Sequence, residues 1–70
     1  MREVELSREP VELYKILKFE GLVSSGGEAK SVIGAGQVRV NGAVELRKRK
    51  KIESGDVIAF AGEQFRVRLA

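Results

Sequence analysis

Along the first residues Val4 and Leu6 alternate with Glu3 and Glu5, the period of a strand with one face turned inward. From Val11 the spacing lengthens. Leu13, Ile16 and Leu17 fall at helical intervals up to Phe19, and Pro10 suits a first helical turn, where a missing N–H costs nothing. Gly21 is placed to stop this helix. Ser25-Gly26-Gly27-Glu28 then has the form of a capping box, in which the serine oxygen accepts from the amide three residues on and the glutamate reaches back. A second, short helix is predicted from there. Ala29, Val32 and Ile33 form its apolar stripe, Lys30 lies on the opposite face, Gly34 weakens its last turn, and Gly36 is the left-handed stop.

After Gln37 the period returns to two. Val38, Val40, Val44 and Leu46 read as inward, with Arg39, Glu45 and Arg47 outward, around a turn marked by Asn41-Gly42. A two-residue turn there would pair Val40 with Ala43 and place Val44 on the face of Arg39, splitting the apolar set. A three-residue loop keeps the four together and is the expectation, because an odd loop restores the alternation. Further on, Glu53 to Asp56 reads as a turn, Val57 to Phe60 as a buried strand, Ala61 to Gln64 as a turn, and Phe65 to Leu69 as a final strand. The fold class is α+β: a two-helix motif followed by a small, mostly antiparallel β-sheet, in one domain spanning residues 1–70.

Composition narrows what such a domain can do. A chain of 70 residues has apolar surface for one core only, and with no cysteine that core is stapled by neither disulfide nor thiolate metal site. Histidine is absent too, which removes the usual neutral-pH base, the usual zinc ligands and the paired nucleophiles. A non-enzyme without metal or cofactor is the expectation. No apolar run resembles a signal peptide or a membrane-spanning segment, so a cytoplasmic address follows by default.

The formal charge of +3 is unevenly placed. Residues 39–51 carry six cations against the single anion Glu45, and five of the six are consecutive: Arg47, Lys48, Arg49, Lys50 and Lys51. Such a run often does no more than solvate a loop. Here little neutralises it, and a polyanion that sheds condensed counterions gains free energy on the cluster that no neutral partner could supply. Membrane binding would want a second signal, a lipid or an adjoining apolar face. Two glycine-rich stretches are chance matches to phosphate-binding loops. In GGEAKS, Ala29 stands where the loop needs glycine before its lysine, and GAGQVR opens a strand instead of a helix. The amides of Gly26, Gly27 and Glu28 at a helix start can still attract one phosphate. The phenylalanines are assigned to the core and Tyr14 to a helix edge, so serial base stacking is disfavoured and recognition of RNA by shape and charge fits better.

Taken in order, GLVSSGGEAK, GQVRVNG and SGDVI lie within a segment that resembles the small RNA-binding domain named after ribosomal protein S-four of the small subunit, over roughly residues 11–60. The whole chain looks like the small stand-alone bacterial members of that family. The resemblance implies a two-helix motif leading into a hairpin, with RNA across the second helix and adjoining strands. Carried over by position, it implies RNA approach at Ser25, Lys30, Gln37, Arg39 and Asn41, and mainly structural roles for Gly36, Val38, Val40 and Gly42. Two cations common in the family are missing: Glu12-Leu13-Tyr14 stands where many members have Arg-Leu-Asp, and Gly26 where arginine often follows the serine. Conversely, the run from Arg47 to Lys51 lies where members often carry fewer charges. Positive potential is therefore expected to have moved to the side of Arg39 to Lys51. The partner expected is structured RNA such as ribosomal or transfer RNA, with association to a ribosome one way of meeting it; a DNA-binding module and an adaptor docking an acidic protein are the alternatives.

Overall fold

Strand β1 (Arg2–Leu6) buries Val4 and Leu6 and leaves Glu3 and Glu5 exposed, as the alternation predicts, in a computed structural model that describes all residues Met1–Ala70. It runs parallel to the last strand, β7 (Glu63–Leu69), with Val4 opposite Val67 and Glu5 opposite Arg68. That last strand starts two residues earlier than predicted. Ala61 (φ 54°) and Gly62 (φ 79°) make a two-residue link from β6 (Val57–Phe60), so Glu63 and Gln64 pair with Phe60 and Ala59 and do not loop.

The first helix starts later than its periodicity suggests. Val11–Glu12 form a short strand, β2, antiparallel to β5 (Lys51–Ile52), and helix α1 covers only Leu13–Phe19. Pro10 thus precedes a strand. The physical reason is that extended backbone at Val11 and Glu12 finds a partner strand, while the helix's first amides find other acceptors. Glu12 is its N-cap without a side-chain bond, and the Leu13 and Tyr14 amides donate to the carbonyls of Lys50 (2.9 Å) and Lys48 (3.2 Å). The helix ends before Gly21, where the Leu22 amide turns back to the Leu17 carbonyl.

Helix α2 (Gly26–Gly34) is capped by Ser25, whose Oγ accepts from the Glu28 amide at 3.1 Å. Half of the capping box is redirected. The Glu28 carboxylate accepts from the Ser24 amide (2.6 Å) and Ser24 Oγ (3.0 Å), one residue before the cap, and these bonds hold it below the usual carboxylate range. Gly36 ends the helix at φ 78°, a conformation that only glycine adopts readily.

The hairpin contradicts the three-residue loop. Between β3 (Val38–Val40) and β4 (Ala43–Val44), Val40 faces Ala43 and Arg39 faces Val44. The turn is the two-residue form, with Asn41 at φ 53° and Gly42 at φ 85°, the backbone demanded by the mirror-image turn that matches strand twist. Turn chemistry outweighs the apolar pattern because Asn41 is fastened three times: its amide donates to the Val57 carbonyl (2.7 Å), its Oδ1 accepts from the Val57 amide (2.9 Å), and its Nδ2 donates to Asp56 Oδ1 (3.1 Å). Val44 and Leu46 accordingly leave the core and stand half exposed, with Gly36 beneath them: a methyl group there would touch both at 3.7–3.8 Å.

The five strands of the main sheet lie in the order β1-β7-β6-β3-β4, antiparallel except for β1 with β7. Leu13, Ile16 and Leu17 of α1 and Ala29 and Ile33 of α2 share one apolar cluster with Val38, Ile58, Phe65 and Val67 of the sheet. No polar side chain is buried in it. This is the α+β class the pattern predicts, and no helix is long and apolar enough to cross a membrane.

Candidate nucleic-acid interface

The segment from Glu45 to Lys51 is irregular in outline yet fixed at its backbone. The Glu45 amide donates to the Val38 carbonyl (2.9 Å), the Lys50 amide donates to the Arg47 carbonyl (3.3 Å), and the carbonyls of Lys48 and Lys50 accept the first amides of α1. The main chain therefore faces the helix; Arg47, Lys48, Arg49 and Lys51 are exposed, while Glu45 and Lys50 are partly buried. Within the run, Arg47 differs from its neighbours. Glu45 Oε2 accepts from Arg47 Nε at 2.8 Å and from the Arg47 amide at 3.1 Å, while Oε1 accepts from Nη2 at 3.2 Å. This forked pair lowers the Glu45 pKa, chiefly through the side-chain hydrogen bonds, and raises that of Arg47. Lys48, Arg49, Lys50 and Lys51 form no ion pair at all.

Helix α2 meets this run along one ridge. Gly26, Lys30 and Gly34 recur every four residues and so lie on one face. Tyr14 ring carbons sit 3.9 Å from where a Gly26 side chain would begin, Lys30 Nζ lies 4.7 Å above the Tyr14 ring centroid, and Lys48 Cε lies 3.6 Å from where a Gly34 methyl would be. An aromatic ring and a lysine stem thus pack over the two glycine positions, with Lys30 between them. A cation over an aromatic face is attracted by the ring quadrupole, by about 0.5–1 kcal/mol where water has access. Tyr14, assigned to a helix edge from sequence, is the residue that joins α1, Lys30 and the basic run. Nothing in composition signals this; the i, i+4, i+8 spacing of Gly26, Lys30 and Gly34 does.

The other expected site residues divide. Ser25 and Gln37 are exposed at the start of α2 and just beyond its end, although Ser25 Oγ is engaged in capping. The Glu28 amide, expected to be open to a phosphate, is the one that Ser25 takes. Arg39 is exposed on β3, with Nη1 3.5 Å from the Gly42 carbonyl, opposite Val44. Asn41 is also exposed, but both ends of its side chain are used by the turn. Lys30 and Lys48 thus lie along α2, against Tyr14 and Gly34 respectively, Lys51 lines a cleft beside β2 and α1, and Arg39 is exposed on the sheet.

One aromatic is misplaced by the sequence reading. Phe65 is buried and Phe60 partly so, but Phe19 is 69% exposed. It follows Leu17 by two residues, about 200° round the helix from a side chain in the core. Helical phase was the signal that could have found it.

Comparison with known proteins agrees with this architecture. The family model described as the S4 domain matches residues 4–68. YbcJ of Escherichia coli (strain K12), whose assigned name provisionally calls it an RNA-binding protein, is 48% identical over 68 residues, covering 96% of this chain and 97% of the relative. The solution structure of E. coli YbcJ, described as revealing an ALFAL motif involved in RNA-binding, superposes with a TM-score of 0.73 over 97% of this chain and 87% of that one. The crystal structure of the 30S ribosomal protein S4e from Thermoplasma acidophilum, 28% identical, gives a TM-score of 0.70 over 84% of this chain and 31% of its own. With its two helices, hairpin and sheet matched over nearly its whole length, this chain belongs to the S4 domain family.

Proposed function

We propose that the chain binds RNA without catalysing a reaction, holding the phosphates of a structured RNA, ribosomal or transfer RNA among the candidates, along the flank of Lys30, Lys48, Arg49, Lys50 and Lys51. The observation that carries this reading is the distribution of ion pairs. Arg2, Lys15 and Arg68 each have a carboxylate partner, and the unpaired Arg8, Lys18, Arg39 and Arg66 stand singly along the chain. The flank's five cations, by contrast, are all unpaired and four of them are consecutive, a concentration that suits an external polyanion. Arg39 extends the surface past the hairpin. Arg47 contributes by its Nη1, which the fork with Glu45 leaves unused. Ser25, Gln37 and Asn41 border the contact and act chiefly through the backbone positions they hold. What E. coli YbcJ and its solution structure are said to do supports the same assignment.

The test is the salt dependence of binding to a folded RNA hairpin. If about four cations touch phosphate, log affinity against log salt has a slope near −3 to −4. A slope near zero overturns the proposal.

A further inference from the structure

We infer that a cleft beside the basic run receives one unpaired nucleotide, its base against Phe19 and its phosphate at Arg8 and Lys51. This rests on the RNA reading and adds a second, chemically different site to it. The cleft, about 490 Å³, lies where the chain between β1 and β2 passes α1 and β5. That volume falls in the range of small-ligand sites. Leu6, Val11 and Phe19 line it with apolar surface, and Phe19 is the most exposed aromatic of the molecule.

The charges around the cleft are resolved by their pairings. Glu5 is held by Arg68 at 2.6 Å, and Glu12 by Lys15 at 3.3 Å. Arg8 and Lys51 also line the cleft and have no carboxylate partner, so the uncompensated charge is positive. Lys51 is also the last cation of the run and is fixed in β5 opposite Glu12 of β2. A phosphate chain following Lys48 to Lys51 therefore ends at the cleft mouth. An aromatic face beside unpaired cations matches a base joined to a phosphate: every base presents a flat π-face, and the phosphate supplies the counter-charge. Inorganic phosphate alone would answer the cations and leave Phe19 unused. With one exposed phenyl ring the site accepts a single base, which suits a bulged or looped-out nucleotide within a structured RNA.

The test is amide chemical-shift titration of the full chain with adenosine 5′-monophosphate, adenosine and inorganic phosphate. The monophosphate is expected to shift Arg8, Val11, Phe19 and Lys51 and to bind more tightly than either part alone. Phe19→Ala should weaken it roughly tenfold, with the signals of Ile58 and Val67 in place to show that the fold is intact. In parallel, a hairpin RNA with a single-nucleotide bulge should bind more tightly than the same hairpin fully paired, and Phe19→Ala should erase that preference while leaving the paired hairpin's affinity unchanged. Shifts confined to residues 30 and 47–50, equal responses to phosphate and monophosphate, or an indifferent Phe19→Ala would each overturn the inference. A cleft that answers the monophosphate while neither hairpin binds would refute RNA binding alone; hairpins that bind while the cleft stays silent would refute the cleft alone.

Discussion

Arg68 and Lys48 are both exposed cations, yet they belong to regions with opposite use of charge. Along the parallel pair β1 and β7, Arg68 reaches Glu5 at 2.6 Å and Glu3 at 3.8 Å, and Arg2 reaches Glu63 at 3.3 Å and Glu20 at 3.8 Å while its guanidinium lies 4.8 Å over the Phe65 ring. Along α2 and the run from Arg47 to Lys51, only Arg47 has a carboxylate partner. The first region closes the sheet and neutralises itself; the second is held in place by backbone bonds and leaves most of its charge unmatched. A total of +3 hides this, because what an anion meets is the arrangement of charge.

Breaking the contrast from the flank side gives the largest expected effect. Lys48→Glu with Lys50→Glu should lower affinity for a folded RNA by about a hundredfold at moderate salt, with unfolding unchanged, whereas Arg68→Glu should leave affinity nearly intact; fluorescence anisotropy reads both. From the other side, Val67→Ala, fully inside the core, should cost about 2 kcal/mol of stability in urea titration without altering the affinity of folded molecules. Asn41→Ala sharpens the boundary between the regions. Because its side chain is spent on Val57 and Asp56, it should cost about 1–2 kcal/mol of stability and little affinity. Arg68→Gln should cost at most about 1 kcal/mol, as exposed pairs do.

The smallest effect concerns pH. Glu28 and Glu45 have folded-state pKa values below the ordinary 4.5. Their contributions are therefore complete above the unfolded value and are lost as pH falls through the lower folded ones. With no histidine in the chain, stability should be flat from about pH 5 to 8 and decline only in acid, as circular dichroism against pH can check.

Where local chemistry and periodicity agreed, the sequence was legible. Val4 and Leu6, the Ser25 cap and the Gly36 stop are all found where residue pattern placed them. Where they competed, the outcome depended on groups distant in the chain. The Asn41-Gly42 turn won over four aligned apolar residues because Asp56 and Val57, some fifteen positions on, complete its hydrogen bonds. Val11 and Glu12 became a strand because Lys51 and Ile52 lie beside them. The site was legible in its charges but not in their availability. Adjacent cations are visible in a string of letters; that Arg47 folds back on Glu45 while Lys48 lies along Gly34 requires the third dimension.

The amides of Leu13 and Tyr14 end on the carbonyls of Lys50 and Lys48, and this ties the mobility of a charged loop to the integrity of a helix. Two hydrogens on one element thereby become gauges of another: their exchange with deuterated solvent requires the loop to part from the helix, and a grip on the loop slows it. Lengthening the chain between Arg47 and Lys51 would strand those two donors, so this stretch tolerates changes of side chain far better than changes of length.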